Sequence, residues 1–228
     1  MSPFWAEAAI LELAPERLCL GQRDLPLAGP LPEALRALPG DLLPRGSRCR
    51  IVVDDSLLRY ALIHWPAGLG RGAEREAFLA HRLREIHGIV APQWCWRADP
   101  EPAPRPALVC AMPTDLRDGL RQLASERGWK LVEMSGAFAR RYNLARPRLK
   151  APLGALLVEG AGRYTLGLWR DGAWQALRSQ PASAERATAL GLLLGAAGLA
   201  GQGGILYVAG PACVAPPSWH VELLGATP

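Results

Sequence analysis

The sequence has few of the features that mark metal sites, disulfide frameworks or membrane spans. Its five cysteines are widely spaced and none lies in a C-x-x-C motif, which predicts free thiols in a reducing compartment. The four histidines lack metal-ligand spacing, because His81 and His87 are six positions apart and so lie on different helix faces. Glycines and Gln202 interrupt the long uncharged stretch at 187–204, so we expect a buried helix there rather than a span of about 20 apolar residues.

Positive charge is present but dispersed. Of the 26 basic residues only Lys130 and Lys150 are lysine, and the net charge of +5 forms no dense block. This distribution permits weak contact with anionic lipid or nucleic acid and requires neither, so we expect no specific nucleic-acid partner. The N-terminus lacks a basic segment and carries Glu7 and Glu12, unlike a secretory signal. The sequence therefore predicts a soluble, cytoplasmic chain.

The main positive feature is an internal repeat. LELA (11–14) and RLCLG (17–21) match VEGA (158–161) and RYTLG (163–167) after one single-residue gap. Each copy has the pattern of a strand, a tight turn after an acidic residue, and a second strand. The period is far longer than the 20 to 50 residues of repeat arrays, so the pattern indicates duplication of a whole lobe.

Two further matches follow in the same order, LVCAMP (108–113) with LYVAGP (206–211) and WKLVE (129–133) with WHVEL (219–223). Matched elements in matched order predict two related α/β halves with a cleft between them.

The predicted domain boundary lies in a proline-rich and basic stretch, residues 145–152, which we interpret as a hinge. We place a first lobe at residues 1–147 and a second, smaller lobe at residues 148–228. Inside the lobes, hydrophobic periodicity predicts a helix over 73–87 and an apolar, central strand over 107–112. A second helix is expected to begin with Thr114 as its N-cap.

Two other patterns concern turns and stripes. Residues 50–53 and 57–65 are predicted to form a hairpin around the acidic turn at 54–56. Asp171-Gly172 predicts a tight reversal between two strands of the second lobe. Leu116, Leu120 and Leu123 follow helical spacing and predict the buried stripe of the helix after Thr114.

Two such units in tandem resemble the actin-like, ribonuclease-H-like ATPase fold. More narrowly, the chain resembles bacterial pilus and secretion assembly proteins of that fold, the PilM type and the cytoplasmic domain of the GspL type. The resemblance covers nearly the whole chain in element order and includes the two acidic turns at Glu12 and Glu159. It implies a duplicated α/β fold with two mixed-sheet lobes and flanking helices.

The resemblance also implies a nucleotide cleft, which binds ATP and magnesium in active members. The residues that it carries over to this cleft are Glu12, Glu159, Gly160, Thr165 and Gly210. Active members begin each half with an Asp-x-Gly turn, where glycine lets the backbone approach phosphate and aspartate orients metal-bound water.

Neither turn of this chain keeps that pattern. The first reads E-L-A-P, with Ala14 at the glycine position and Pro15 lacking an N–H donor, and the second reads E-G-A-G from Glu159. Gly210 is followed by proline where active members tend to have Gly-Gly. We therefore expect a degenerate ATPase fold that is not an enzyme, with no catalytic residue, no metal and no required cofactor.

By resemblance, the expected function is a non-catalytic scaffold of type IV pilus or type II secretion assembly. A PilM-type protein lies under the inner membrane and grips the cytoplasmic tail of a membrane-anchored assembly protein; a GspL-type protein contacts an assembly ATPase. The expected partners are thus an inner-membrane assembly protein, an assembly ATPase and, as a homodimer, a second copy. The expected location is the cytoplasm, with peripheral membrane association through the partner.

Two other functions stay open from the residues. The first is an actin-like ATPase or sugar-kinase-like enzyme with a working nucleotide cleft. The second is a ribonuclease-H-like nuclease, in which Glu12, Asp54 and Asp55 would hold two metal ions. Turn chemistry also accounts for the two aspartates without a metal.

Overall fold

The computed structural model describes residues 7–70, 72–99, 105–182, 186–199, 201–211 and 214–225. The first part of the chain contains β1 (Ala9–Ala14), β2 (Arg17–Leu20), β3 (Arg23–Pro26), α1 (Leu31–Arg36), β4 (Arg48–Val53), β5 (Arg59–Ile63), α2 (Ala73–His87), β6 (Trp94–Ala98), β7 (Ala107–Pro113), α3 (Thr114–Glu126), β8 (Lys130–Gly136) and α4 (Ala137–Ala145). The second part contains β9 (Leu153–Gly160), β10 (Arg163–Arg170), β11 (Ala173–Pro181), α5 (Arg186–Ala196), β12 (Gly204–Ala209) and β13 (Trp219–Leu223).

Two five-stranded sheets share one topology. Their strand orders are β3-β2-β1-β4-β8 and β11-β10-β9-β12-β13. In each sheet the first three strands pair antiparallel, and the last two run parallel to their neighbours. The predicted pair of related α/β halves is therefore confirmed. The boundary between residues 147 and 148 falls in the connection from α4 to β9 and stays a prediction.

Local residue patterns account for two hairpins, β1–β2 in the first lobe and β10–β11 in the second. In the first hairpin Leu11, Leu13 and Leu18 are buried while Glu12 between them is exposed, the alternation of a sheet with one covered face. In the second lobe β10 reverses into β11 through Asp171 and Gly172, which have φ angles of 50° and 72°. Two successive positive φ angles are typical of a type I′ turn, one of the two preferred two-residue hairpin connections, so the predicted reversal is confirmed.

The predicted hairpin over residues 50–65 is wrong. β4 lies in the first sheet between β1 and β8, whereas β5 pairs with β7 in a third sheet of order β5-β7-β6. A 3₁₀ turn at Asp55–Leu57, capped by the Asp54 side chain, carries the chain from one sheet to the other. Acidic and hydroxyl residues favour a turn, but they do not determine whether the next strand pairs with the previous one.

One of the matched pairs also joins strands that are not equivalent. By position in the sheets β12 corresponds to β4, whereas β7, which contains residues 108–113, belongs to the third sheet. That sheet and α2 are inserted between β4 and α3. Both β7 and β12 are largely buried, so both give the same short apolar run in the sequence. The matches of β1–β2 with β9–β10, and of β8 with β13, agree with the topology.

The helices of the first lobe are close to prediction. α2 covers residues 73–87 as expected, β7 is the central strand of its sheet, and Leu116, Leu120 and Leu123 form the buried stripe of α3. The expected N-cap is corrected: Thr114 is the first helical residue, and its hydroxyl donates to the Pro92 carbonyl at 2.7 Å. The short strand β3 was not predicted, because its RDLP sequence shows no apolar alternation.

The two lobes are joined by a shared hydrophobic cluster. Phe138 of α4 and Leu108 of β7 pack there against buried residues of the second sheet, including Trp169, Trp174 and Tyr207. The other clusters lie within one lobe or between the third sheet and α2. The lobes therefore meet through a packed apolar contact that is rich in aromatic side chains.

Within the part of the chain that the structure describes, we find no helix with the length and apolar character needed to cross a bilayer.

Candidate functional site

A cavity of about 670 Å³ lies between the lobes. The β1–β2 turn lines one side and the β9–β10 turn lines the other, because equivalent strands of the two sheets end at the same cleft. The start of α4 closes part of the wall with Arg140 and Arg141. The cavity is thus built mainly from the two turns that the internal repeat relates.

The structure brings three of the predicted site residues together. Glu12, Glu159 and Gly160 all line the cavity, one from the first lobe and two from the second. Gly210 is adjacent, because a Cβ built on it would lie 3.7 Å from the Glu159 side chain. Thr165 is not in the lining: it is fully buried in β10, and its hydroxyl lies 3.3 Å from Ser179 Oγ.

The Asp54 carboxylate links the two lobes at this cavity. Its Oδ1 accepts from the Ser56 backbone N–H at 2.9 Å, and its Oδ2 accepts from the Ala161 backbone N–H at 2.6 Å. A Cβ on Gly160 would overlap Asp54 Oδ2, so glycine is required for this approach. In active members of the fold that the sequence resembles, the backbone of the equivalent turn approaches phosphate. Here one N–H group of that turn, on Ala161, donates to the Asp54 carboxylate instead.

The neighbouring Asp55 is buried inside the lobe junction, only 3% exposed. Its Oδ1 accepts from the Tyr60 hydroxyl at 2.8 Å and from the Phe138 backbone N–H at 3.1 Å. Burial raises the pKa of Asp55 from 3.8 to about 6, although the Phe138, Tyr60 and Thr165 hydrogen-bonding groups oppose this and lower it. Its Oδ2 is buried without a hydrogen-bond partner among the described residues.

The charges around the cavity are mixed. Glu12, Asp54 and Glu159 contribute carboxylates, and three arginines also line the wall. Two of those arginines are already engaged: Arg17 lies 3.7 Å from Asp24 and Arg140 lies 3.5 Å from Glu133. The three carboxylates thus balance the three arginines, and the cavity wall has no excess of positive charge to attract a phosphate chain.

Among the described residues no three His, Cys, Asp or Glu side chains converge as metal ligands. Both oxygens of Asp54 accept backbone N–H groups, and Oδ1 of Asp55 accepts two hydrogen bonds inside the lobe junction. The trio of Glu12, Asp54 and Asp55 that a nuclease would use does not form a ligand cluster.

Sequence reasoning missed the main contact of this site. Asp54 and Asp55 were identified as turn residues, and the capping of the 3₁₀ turn by Asp54 fits that interpretation. The additional bond from Asp54 to the second lobe depends on how the lobes meet, which no local pattern encodes. The only available signal was a pair of adjacent carboxylates at the end of a β-branched run.

Replacing Asp54 with alanine should lower the free energy of unfolding by about 1–3 kcal/mol, because the Ala161 and Ser56 N–H groups lose their acceptor in a mostly buried position. Urea unfolding followed by circular dichroism measures this. Glu16→Ala, at the exposed β1–β2 turn, is the matched control and should change stability by no more than about 0.5 kcal/mol. Equal effects of the two substitutions would show that the bond between the lobes contributes nothing.

The repeated strand order and the inter-lobe cleft define an actin-like fold. No family model matches the sequence, and no curated protein matches it. Solved structures do match. The cytoplasmic domain of EpsL, an inner-membrane component of the type II secretion system of Vibrio cholerae, aligns with a TM-score of 0.60 at 15% identity, over 95% of this chain and 89% of that one.

Two further structures support the same fold. A Bacteroides thetaiotaomicron protein with an actin-like ATPase fold and unknown function aligns with a TM-score of 0.57 at 10% identity, over 90% of this chain and 82% of that one. A chain of the PilM–PilN type IV pilus biogenesis complex aligns with a TM-score of 0.55 at 20% identity, over 85% and 68%. The predicted actin-like fold is confirmed, and these neighbours include pilus and secretion assembly components.

Proposed function

We propose that this chain is a non-catalytic, actin-like scaffold that assembles a type IV pilus or type II secretion machine at the cytoplasmic face of the inner membrane. The observation that carries the non-catalytic part is the Asp54 carboxylate, which occupies a backbone donor of the second turn. The similarity to EpsL and to the PilM–PilN complex supports the assembly role. Its action is docking of an inner-membrane protein, with an assembly ATPase as a second partner.

The chemistry of the cleft supports docking over turnover. The first turn lacks glycine at Ala14 and an N–H at Pro15, and the second turn has a donor occupied by Asp54. Phosphoryl transfer needs free donors and a metal held at the transferred group. The packed aromatic junction further supports a rigid body whose surfaces recognise other proteins.

Mg-ATP should leave the melting temperature unchanged within about 1 °C at millimolar nucleotide. A ligand at 100 times its Kd would add about 2.7 kcal/mol, which raises the melting temperature of a protein of this size by roughly 5–10 °C. Differential scanning fluorimetry with Mg-ATP, and with ATP plus EDTA as the control, measures this. A magnesium-dependent rise of several degrees would support the actin-like ATPase or kinase alternative instead.

Docking is tested by co-expressing this chain with each inner-membrane protein whose gene lies next to the gene of this chain. We expect one of them to co-purify with this chain after detergent extraction, with a Kd in the micromolar range or below. Deleting the cytoplasmic segment of that membrane protein should abolish co-purification. The matched control is the same membrane protein with its periplasmic part deleted, which should still co-purify. If none of the neighbouring proteins is retained, the scaffold proposal is wrong.

A further inference from the structure

The third sheet ends at β6, which carries two tryptophans outside the inter-lobe cavity. Trp94 and Trp96 are half-buried, and their rings pack against the apolar cluster between this sheet and α2. The Trp96 indole N–H donates to the Glu76 carboxylate at 3.0 Å, and the Arg59 guanidinium lies 5.8 Å from the centroid of the Trp94 ring. Both rings are therefore held in place while part of each stays at the surface, and tryptophan at the surface is enriched in protein interfaces.

The backbone of β6 has an open edge. The Gln93 carbonyl accepts from the Thr114 N–H, which fixes the alternation along this antiparallel pair: the odd-numbered residues of β6 bond to β7. The N–H and C=O groups of Trp94, Trp96 and Ala98 therefore point away from the sheet. In the part of the chain that the structure describes, these groups have no backbone partner. Such an edge is a template for a further strand.

The outer strands of the other two sheets each carry a feature that hinders pairing with a further strand. β3 has four residues and ends in Pro26. A register shift interrupts β8 where it pairs with β4, and the Arg148 guanidinium binds the Leu223 and Leu224 carbonyls at the end of β13. β11 lies against β5, the opposite outer strand of the third sheet. Among the described residues, the edge of β6 carries none of these features.

We propose that β6 pairs with β6 of a second copy of this chain, antiparallel about a twofold axis at Cys95, so that two third sheets become one continuous sheet. A twofold axis at an edge strand pairs one segment with itself, so the surface is its own partner. The N–H and C=O groups of Trp94 would then bond to those of Trp96 of the other copy, and the reverse. The proposal is independent of the assembly role.

Charge excludes the neighbouring registers. An axis at Arg97 would place two guanidinium groups directly opposite each other, which is destabilising. An axis at Trp96 would place Arg97 opposite Cys95 of the other copy, beside which Arg117 lies. With the axis at Cys95, Arg97 is opposite Gln93 of the other copy, so no two charges of one sign are opposed.

The same register pairs like surfaces. Trp94 is opposite Trp96 of the other copy on both sides of the axis, and aromatic cross-strand pairs stabilise a sheet. Arg117 does not add a lone cation near the axis, because it forms an ion pair with Asp118 at 2.7 Å. The paired strands have five residues each, so the interface is smaller than a standard one and the dimer should be weak.

Sedimentation equilibrium in a reducing buffer tests self-association. We expect a monomer–dimer equilibrium with a Kd of about 1–100 μM. Cys95→Lys would place two ammonium groups opposite each other at the axis and should raise this Kd at least tenfold, whereas the neutral change Cys95→Ser should alter it less than threefold. Cys19→Lys makes the same change at another half-buried cysteine, on β2, and should leave the Kd unchanged. Circular dichroism of each variant should show the wild-type spectrum at the assay temperature.

Crosslinking of the wild-type chain tests the register without a substitution at the edge. Cys95 is a free thiol, and opposed residues of a pair that shares no hydrogen bond have Cα atoms about 4.5 Å apart, within the range of a disulfide. Copper phenanthroline in air should join two Cys95 thiols, which lose two protons and two electrons to oxygen. The linked dimer should be absent for Cys95→Ser and present for Cys19→Ser, and peptide mapping should find Cys95 joined to Cys95.

Three results would overturn the proposal: a chain that stays monomeric at about 200 μM, a Kd that Cys95→Lys does not change, or a linked dimer that persists in Cys95→Ser. A chain that is monomeric alone and binds an extended segment of another protein at β6 would equally contradict self-pairing. These outcomes are separate from those of the co-purification experiment. Failure to retain any inner-membrane protein overturns the scaffold function and leaves the pairing of β6 intact.

Discussion

Phe138→Ala is expected to lower the free energy of unfolding by about 3–5 kcal/mol, the usual cost of deleting a buried aromatic side chain. Phe138 has no exposed surface, and its ring centroid lies 5.8 Å from that of Tyr60 and 6.0 Å from that of Trp174. A Cβ on Gly167 would overlap the Phe138 ring, so the ring fills the space that this glycine leaves. Truncation would leave a cavity bounded by rigid rings from both lobes.

The lost packing lies at the junction of the two lobes. Phe138 belongs to α4 of the first lobe and Trp174 to β11 of the second, so the substitution removes a contact between the lobes. Urea unfolding followed by circular dichroism measures the loss of stability. Phe78→Ala on α2 is the matched control, because Phe78 is only half-buried beside Trp65 at 6.1 Å. If Phe138→Ala costs no more than Phe78→Ala, the lobes do not depend on the shared aromatic cluster.

Much of the fold could be predicted because its strongest signals are local. The 3.6-residue spacing of Leu116, Leu120 and Leu123 identifies α3, and the Asp171-Gly172 pair identifies a reversal whose backbone demands those residue types. The repeated acidic turns identified the duplication, because each lobe places the same hairpin at the cleft. These features depend on a few adjacent residues.

The errors concern strand pairing, which is not local. An apolar run such as residues 108–113 predicts a buried strand, but the same run fits the first or the third sheet equally well. Likewise, the acidic turn after β4 predicts a change of direction, but it does not determine that β5 leaves the first sheet. The insertion between β4 and α3 therefore could not be recognised as a separate sheet.

The candidate site was predictable in part for the same reason. Glu12, Glu159 and Gly160 lie at the repeated turns, and the repeat places them in one cavity. The role of Asp54 depends on its 2.6 Å contact with Ala161, more than 100 positions away, and so on the docking of two finished lobes.

Asp55 is a carboxyl group buried at the junction of the two lobes. Burial contributes most to its raised pKa, and the nearby Asp54 charge raises it further. Tyr60 and the Phe138 N–H both donate to Oδ1 and favour the charged form, but they do not offset the loss of solvent. The folded protein therefore binds the Asp55 proton more tightly than the unfolded chain does.

Asp55→Asn is accordingly expected to stabilise the protein above pH 6 by up to about 3 kcal/mol. The folded pKa of about 6 against the ordinary 3.8 means that wild-type stability falls as the pH rises from about 4 to about 6 and stays level above that. Asparagine imitates the protonated acid, since its carbonyl oxygen can accept from both Tyr60 and Phe138 and it carries no charge to bury.

Urea unfolding of the wild type and the variant between pH 4 and pH 8 measures the effect, and the two stabilities should converge near pH 4. Asp41→Asn, at an exposed position, should show no pH-dependent difference from the wild type. If Asp55→Asn is instead less stable than the wild type at pH 8, the two donors outweigh burial. The charged carboxylate would then stabilise the folded protein through its bonds to Tyr60 and to the start of α4.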